Sequence, residues 1–355
     1  MKKTLLLALF ILAGHIADAQ TLFTISGNVV NARGEALQAA TVFIDGSQKT
    51  TVTDDKGNFN FSGMGQGTYQ LVVNLIGYES VKLPATVKYK AVDLKITLQE
   101  KQIALAQVNI GDDSQRKGFM KIFTKYFMGE SENAKACKII NPEVIDFATE
   151  QTLIKATTDK FLVIENQNLG YRINYLLRNF RYDKKLETTI YDGECIFEEL
   201  TGTDLQRQKW VNNRKKAYEG SLMHYLRSLY KNTARKEGFL TYAITSAGFP
   251  LAADPNPVNT EQIIKRPDSN LFVFNYKKRL YTVYDKKKAN EEDKYAPGRM
   301  LIDDLGRTGS ILQLNAQIDS RGSYEHYKDI LIQGFWGSKR IGDQLPLEYD
   351  PKADE

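Results

Sequence analysis

The amino-acid sequence predicts an all-β sandwich over residues 20–111, followed by an α+β domain with a largely antiparallel sheet over residues 112–355. Three observations lead there. Residues 20–111 alternate apolar and polar side chains in short bursts between turn-forming residues, with no helical stretch among them. Residues 112–355 mix that two-residue period with helical periodicity, the pattern of an α+β domain. Charge density also nearly doubles at the boundary, from 8 Lys+Arg and 7 Asp+Glu in the first part to 38 and 35 in the second. Gly111-Asp112-Asp113-Ser114 reads as the linker.

Taken in order, the first part divides into seven strands, near Leu22–Val30, Ala40–Ile44, Lys49–Thr53, Asn58–Phe61, Gly67–Val73, Tyr78–Leu83 and Val92–Leu98. Their turns fall at Asn31–Gly34, Asp45-Gly46, Asp54–Gly57 and Gly63–Gly67, where Gly and Asn supply the backbone conformations a turn needs. In the second part Gln115–Phe127 reads as a helix, and Lys138–Phe147, Leu153–Thr157, Phe161–Glu165, Tyr171–Asp183 and Thr188–Glu199 as strands. A helical stretch from Leu205 to about Glu237 is interrupted near Gly220. Strands are then expected at Thr241–Thr245, Leu271–Tyr276, Leu280–Asp285, Ile311–Ile318 and Lys328–Phe335, with 248–268 a long Pro-rich loop and Lys286–Pro297 a solvated hairpin tip.

Composition bounds the rest. At 42% hydrophobic and 26% charged residues, the 355-residue chain has the makings of folded domains. The net charge of +5 comes from interspersed signs, which implies no dedicated nucleic-acid surface. Residues 1–19 read as a secretory signal peptide: Lys2 and Lys3, an apolar run from Leu5 to Ala13, and Ala17-Asp18-Ala19 as the cleavage site before Gln20. That run is about half of the ~20 residues that span a bilayer, and no later segment is apolar enough to cross by helix. The expected location is therefore exported, periplasmic or outer-membrane-associated, with no transmembrane segment after cleavage. Such a compartment permits a disulfide between Cys137 and Cys195; closing their loop would contribute roughly 4 kcal/mol, and the alternative is two buried thiols.

Several landmarks carry a family resemblance: Ile25-Ser26-Gly27-Asn28-Val29, Gly34-Glu35-Ala36-Leu37, Ala40-Thr41-Val42-Phe43-Ile44, Thr53-Asp54-Asp55-Lys56-Gly57-Asn58-Phe59, Gly67-Thr68-Tyr69 and Ile76-Gly77-Tyr78-Glu79. In this order they resemble the carboxypeptidase-regulatory-like domain, of transthyretin-like (prealbumin-like) fold, which heads many envelope proteins of the Bacteroidota, TonB-dependent transporters among them. The resemblance implies a rigid β-module without chemistry of its own. Ile140-Asn141-Pro142, Glu165-Asn166, Leu169-Gly170-Tyr171, Trp210–Arg227, Gln333–Gly337 and Leu345–Tyr349 are similar to a lineage-restricted group of exported proteins with the same N-terminal module. No defined activity attaches to that group, so it implies no catalytic residues.

The residue inventory argues against familiar reaction centres. A zinc carboxypeptidase needs two His, a carboxylate and a Glu base, whereas residues 20–355 contain His224 and His326 alone, and His326-Tyr327-Lys328-Asp329 carries Asp where Glu belongs. No metal and no cofactor are expected, and nucleotide, dinucleotide and dithiol motifs are absent from the sequence. Asp54 and Asp55 read as turn residues, because a calcium site needs further oxygens. The most pointed segment is Trp210–Arg227. Trp210, Arg214 and Tyr218 share one helical face, Ser221 reads as an N-cap, and His224 and Arg227 lie together on the next helix. These five are the candidate binding residues, by a composition favoured at interface hot spots. The competing reading is helix packing with arginines stacked on aromatics. Ser221 and His224 make no nucleophile–base pair without a third group to orient the imidazole. The stripe Phe272, Phe274, Tyr276 with Tyr281 and Val283 reads as one paired strand face. The functional expectation is an exported, non-enzymatic envelope protein that binds a protein or glycan partner; the alternatives are a hydrolase of dispersed residues or an accessory to a TonB-dependent outer-membrane system.

Overall fold

The structure, a computed structural model, describes residues 22–101, 113–246, 248–268, 271–274, 276–324 and 330–353. The signal peptide, Gly111 and Asp112 of the expected linker, and His326 lie outside the described residues, while Asp113 and Ser114 open a helix.

The first part is a sandwich of seven strands: β1 (Phe23–Asn31), β2 (Thr41–Ile44), β3 (Thr50–Val52), β4 (Asn58–Met64), β5 (Gly67–Asn74), β6 (Val81–Val87) and β7 (Val92–Leu98). They form two sheets, ordered β4-β1-β7 and β3-β2-β5-β6. All pairings are antiparallel except β1 with β7. Alternation sends Ile25, Val29, Val42, Ile44, Phe59, Phe61, Leu71, Val73 and Ile96 into one core. The turn into β4 needs Gly57 twice over. Its φ is +74°, and a β-carbon there would lie 2.4 Å from the Val29 carbonyl oxygen. Asp54 is spent within that turn, accepting the Lys56 and Asn58 amides at 2.9 and 2.7 Å.

The outer faces of the two sheets differ. On β4-β1-β7 the outward cross-strand pairs are polar, Ser26 against Asn60 and Asp93, and Asn28 against Asn58 and Lys95. On the other sheet Phe43 of β2 sits directly opposite Val72 of β5, outside the sandwich core, yet both are fully buried. Something must cover them.

The second part opens with α1 (Asp113–Phe123), which runs on into a π-helical turn at Thr124–Met128. The following strands are β8 (Cys137–Ile139), β9 (Ile145–Glu150), β10 (Leu153–Thr158), β11 (Leu162–Asn166), β12 (Tyr171–Asp183) and β13 (Thr188–Glu199). The β12–β13 hairpin is the spine of a six-stranded antiparallel sheet. β13 occupies one edge of β12 along its length, so β11 and β10 share the other edge, with β8 and β9 beyond them. Phe119, Phe123 and Phe127 recur every four residues, which puts them on one side of the helix and onto Phe147, Tyr175 and Phe180 of the sheet. Then come α2 (Asp204–Tyr218) and α3 (Leu222–Tyr230), joined at Gly220.

The remaining strands are β14 (Phe239–Ala243), β15 (Ala252–Ala253), β16 (Ile264–Asp268), β17 (Leu271–Phe274), β18 (Leu280–Tyr284), β19 (Met300–Leu301), β20 (Gly309–Leu314), β21 (Gln317–Asp319) and β22 (Ile330–Gly334). They form sheets ordered β14-β18-β20-β22 and β16-β17-β21, and a β15-β19 ribbon. The molecule is mostly β and largely antiparallel, the predicted class.

Several expectations need correction. The strand expected at Lys138–Phe147 is two strands, because Pro142 has no amide hydrogen for a ladder and starts a 3-10 turn. Residues 248–268 hold β15, a one-turn helix capped by Asn259 and β16, so they are not a structureless loop. Lys286–Ala289 is a one-turn helix capped by Asp285. Ile311–Ile318 divides into β20 and β21, which join different sheets. Phe272 and Phe274 likewise sit in a different sheet from Tyr281 and Val283, so the aromatic stripe is not one paired face. The disulfide is also corrected: both thiols are free. Cys137 on β8 and Cys195 on β13 have β11 and β12 between them, roughly 14 Å at strand spacing, far beyond a disulfide's reach.

Candidate functional site

The Trp210–Arg227 segment folds as expected locally, and its five candidate residues are all buried. A capping box starts α2: the Thr203 hydroxyl accepts the Gln206 amide while the Gln206 side chain accepts the Thr203 amide. The Ser221 hydroxyl caps α3 by accepting the His224 amide at 3.1 Å. Trp210, Arg214 and Tyr218 do share a helix face, and that face is turned inward. The Trp210 indole lies between Gly170 and Gly202, where β-carbons would sit 2.2 and 2.5 Å from its ring atoms, and it donates to the Gln167 carbonyl at 2.9 Å. Arg214 donates to the Leu169 and Gly170 carbonyls at 2.8 and 3.3 Å, meets Glu199 at 3.1 Å, and stacks 3.9 Å from the centre of the Tyr171 ring. Helix and turn are therefore locked to each other.

On α3 the Arg227 guanidinium, 8% exposed, donates to three carbonyls: Arg321 at 2.9 Å, Tyr349 at 2.6 Å and Leu347 at 2.9 Å. One side chain thus gathers a helix, the turn after β21 and the C-terminal tail. Tyr218 stacks on His224 with ring centres 4.8 Å apart. The His224 Nδ1 accepts the Gly220 amide at 3.1 Å, which places the imidazole hydrogen on Nε2, donating to Glu237 at 2.7 Å. Both ring nitrogens are used, and Ser221 faces the backbone amide of His224. This geometry engages the one imidazole lone pair, on Nδ1, with the Gly220 amide. Burial lowers the His224 pKa, with the Glu237 carboxylate opposing it. The five residues form an internal clamp, which is the packing alternative. The candidate pocket or partner surface is here filled by protein groups, with all five side chains buried. Among the described residues no group of three or more His, Cys, Asp and Glu converges to hold a metal ion.

The clamp leads to a second constellation that sequence reasoning passed over. The turn Asp45-Gly46-Ser47-Gln48, after β2, inserts between the edge of β13 and the C-terminal tail. Gly46 donates to the Cys195 carbonyl at 2.9 Å, Phe197 donates to the Ser47 carbonyl at 2.8 Å, and the Cys195 amide donates to the Asp45 carboxylate at 3.0 Å. From the other side Leu347 donates to the Gly46 carbonyl at 2.8 Å, and the Gln48 amide donates to Glu348 at 3.1 Å. Lys82, on the outer face of β6 beside Val72, holds Asp45 at 2.7 Å. Behind the turn, Phe43 and Val72 meet Ile196 and Phe161, with the two phenylalanine rings edge-to-face at 5.7 Å. Arg321 closes the far end: it pairs with Asp319, donates to the Thr68 carbonyl at 2.6 Å and lies 3.9 Å over the Tyr69 ring. Lys101 pairs with Asp159. The module and the second domain are thus joined by an apolar centre with a hydrogen-bonded rim. The signal for it lay in Val42-Phe43-Ile44 and Leu71-Val72-Val73, where alternation gives way to unbroken apolar runs, the mark of a strand covered on both faces.

Residues 25–110 match the model of the CarboxypepD_reg-like domain. No curated protein matches the chain in sequence. Among solved structures, a streptococcal ancillary pilin is similar at 13% identity and TM-score 0.21, over 24% of this chain and 34% of that one. The minor pilin of Streptococcus agalactiae aligns at 18% identity and TM-score 0.20, over 23% and 46%. Catechol 1,2-dioxygenase from Pseudomonas arvilla aligns at 10% and 0.22, over 26% and 56%. These matches span about a third to a half of the other chains, and at such scores they carry no argument about function. Sequence landmarks and family match agree on one point: the N-terminal sandwich is a carboxypeptidase-regulatory-like domain.

Proposed function

We propose that this chain is an exported, non-enzymatic protein of the cell envelope that binds a protein or glycan partner, with its N-terminal module serving as a brace for the second domain. The N-terminal domain type and the signal-like residues 1–19 support the location. Among the described residues no helix is long and apolar enough to cross a membrane. The brace role rests on the docked turn 45–48.

One observation carries the binding role. The β15–β19 ribbon packs Leu251, Ala253, Met300 and Ile302 onto a core beneath it, while Leu301 of β19 stands out to solvent between the exposed Arg299 and Asp303. Phe249 is 92% exposed, Tyr295 84% and Leu301 64%. Leu301 lies on the ribbon, and Phe249 and Tyr295 lie in the segments leading into its two strands; exposed large apolar side chains of this kind suit a recognition surface, where aromatics are enriched. The test compares the wild-type chain with Phe249→Ala/Leu301→Ala by affinity capture from native envelope extracts and by glycan binding. Loss of the captured ligand with an unchanged melting temperature is expected. An unchanged set of bound ligands overturns the ribbon assignment. N-terminal sequencing of the envelope form should begin at Gln20; an uncleaved chain in the cytoplasm overturns the location.

A further inference from the structure

We propose that the seam between module and second domain is a self-sufficient interface: cutting the chain between them leaves the two halves assembled, so the module retains the second domain without the covalent link. This goes beyond the binding role and does not depend on which ligand the ribbon takes.

Of the two sheets in the module, one presents polar pairs outward and the other presents Phe43 and Val72. These two side chains are fully buried although neither belongs to the sandwich core. A module meant to swing on its linker would expose them to water, and an exposed Phe–Val pair on a sheet is an association site. Their cover, Ile196 and Phe161, comes from the second domain. The rim combines main-chain and side-chain hydrogen bonds. Turn 45–48 exchanges backbone hydrogen bonds with Cys195, Phe197 and Leu347, and Ser47 makes a parallel bridge with Ile196. Backbone partners at fixed spacing define one register, unlike mobile surface ion pairs. β13 is an edge strand, so the turn also occupies amide and carbonyl groups that would otherwise invite a foreign strand. Arg321 secures the far end through Thr68 and Tyr69. Apolar centre, hydrogen-bonded rim and an arginine anchor are the parts of a specific protein–protein interface.

The experiment keeps the full chain. A protease site carried on an insertion of about ten Gly/Ser residues between Ala106 and Gln107 makes cleavage independent of local structure. After cleavage the halves are expected to co-elute in gel filtration at micromolar concentration. Phe43→Asp, which charges the seam and spares the sandwich core, is expected to weaken the complex at least 100-fold. Asp45→Ala, a milder change at the rim, should weaken it about 10-fold, and it covers the case in which Phe43→Asp prevents folding. The uncut variants are checked for a cooperative melt. Separation of the cut wild-type halves overturns the proposal. So does an unchanged dissociation constant in the folded variants, since the tie would then lie elsewhere.

Discussion

Replacing Arg227 by Ala tests whether the polar-aromatic segment is a clamp or a surface. The guanidinium serves three carbonyls, those of Arg321, Leu347 and Tyr349, and lies 5.5 Å from the centre of the Tyr218 ring. A hydrogen bond to a charged group contributes about 1.5–3 kcal/mol, and the three cannot be summed because one rigid group makes them all. A loss of about 4 kcal/mol follows, with the Tyr218 contact adding about 0.5–1 kcal/mol. A surface role predicts far less: an exposed ion pair such as Arg207–Asp204 is worth about 0–1 kcal/mol. Urea unfolding followed by tryptophan fluorescence is a suitable assay, because both tryptophans, Trp210 and Trp336, lie in the second domain. Proteolysis of the C-terminal tail reports the local effect, since Leu347 and Tyr349 lose their anchor. Arg227→Lys should recover less than half of the loss, because an ammonium is a point donor that cannot span three carbonyls. A variant within about 1 kcal/mol of wild type, or full recovery by lysine, refutes the clamp.

Other consequences are equally direct. Gly202→Ala places a methyl group 2.5 Å from the Trp210 ring at a backbone position without positive φ, so the penalty is purely steric. A loss of about 1–3 kcal/mol is expected, against about 3–5 kcal/mol for Trp210→Ala; an unchanged melting temperature for Gly202→Ala contradicts the packing described. His224 titrates below the ordinary histidine value of 6.5, chiefly through burial. Its contribution is therefore whole above pH 6.5 and lost as the pH falls through the folded pKa, so the stability gap between wild type and His224→Gln should narrow from pH 7 to pH 5. A gap that widens on acidification would mean that the Glu237 pair dominates instead. Burial pushes the Cys137 thiol up to about 12 and raises that of Cys195. Neither should be alkylated by iodoacetamide at pH 8 in the native state, and mobility should be the same with and without reductant. A mass two hydrogens short in the non-reduced protein would restore the disulfide.

Much of the fold was legible because its signals are local. The seven module strands lie within a few residues of their expected positions, and β12 and β13 match to the residue, since a two-residue period and a glycine turn depend on near neighbours alone. The cap at Ser221 was readable for the same reason. Strands that break at a proline or change sheets partway, such as 138–147 and 311–318, were not. A break depends on which sheet each half joins, and that is a long-range choice.

The sequence by itself determined the sandwich, the helix pair, the scarcity of imidazoles and thiols, and which side chains share a helix face. It did not determine which way that face points. Trp210, Arg214 and Arg227 carry a composition that suits an interface and a buried clamp equally well, and the difference lies in carbonyls from positions 43 to 122 residues away in sequence. The tertiary structure alone decided that those carbonyls converge on the arginines. It decided likewise that the turn Asp45–Gln48 finds the free edge of β13, because an unpaired strand edge exists as a binding surface only after the sheet has formed.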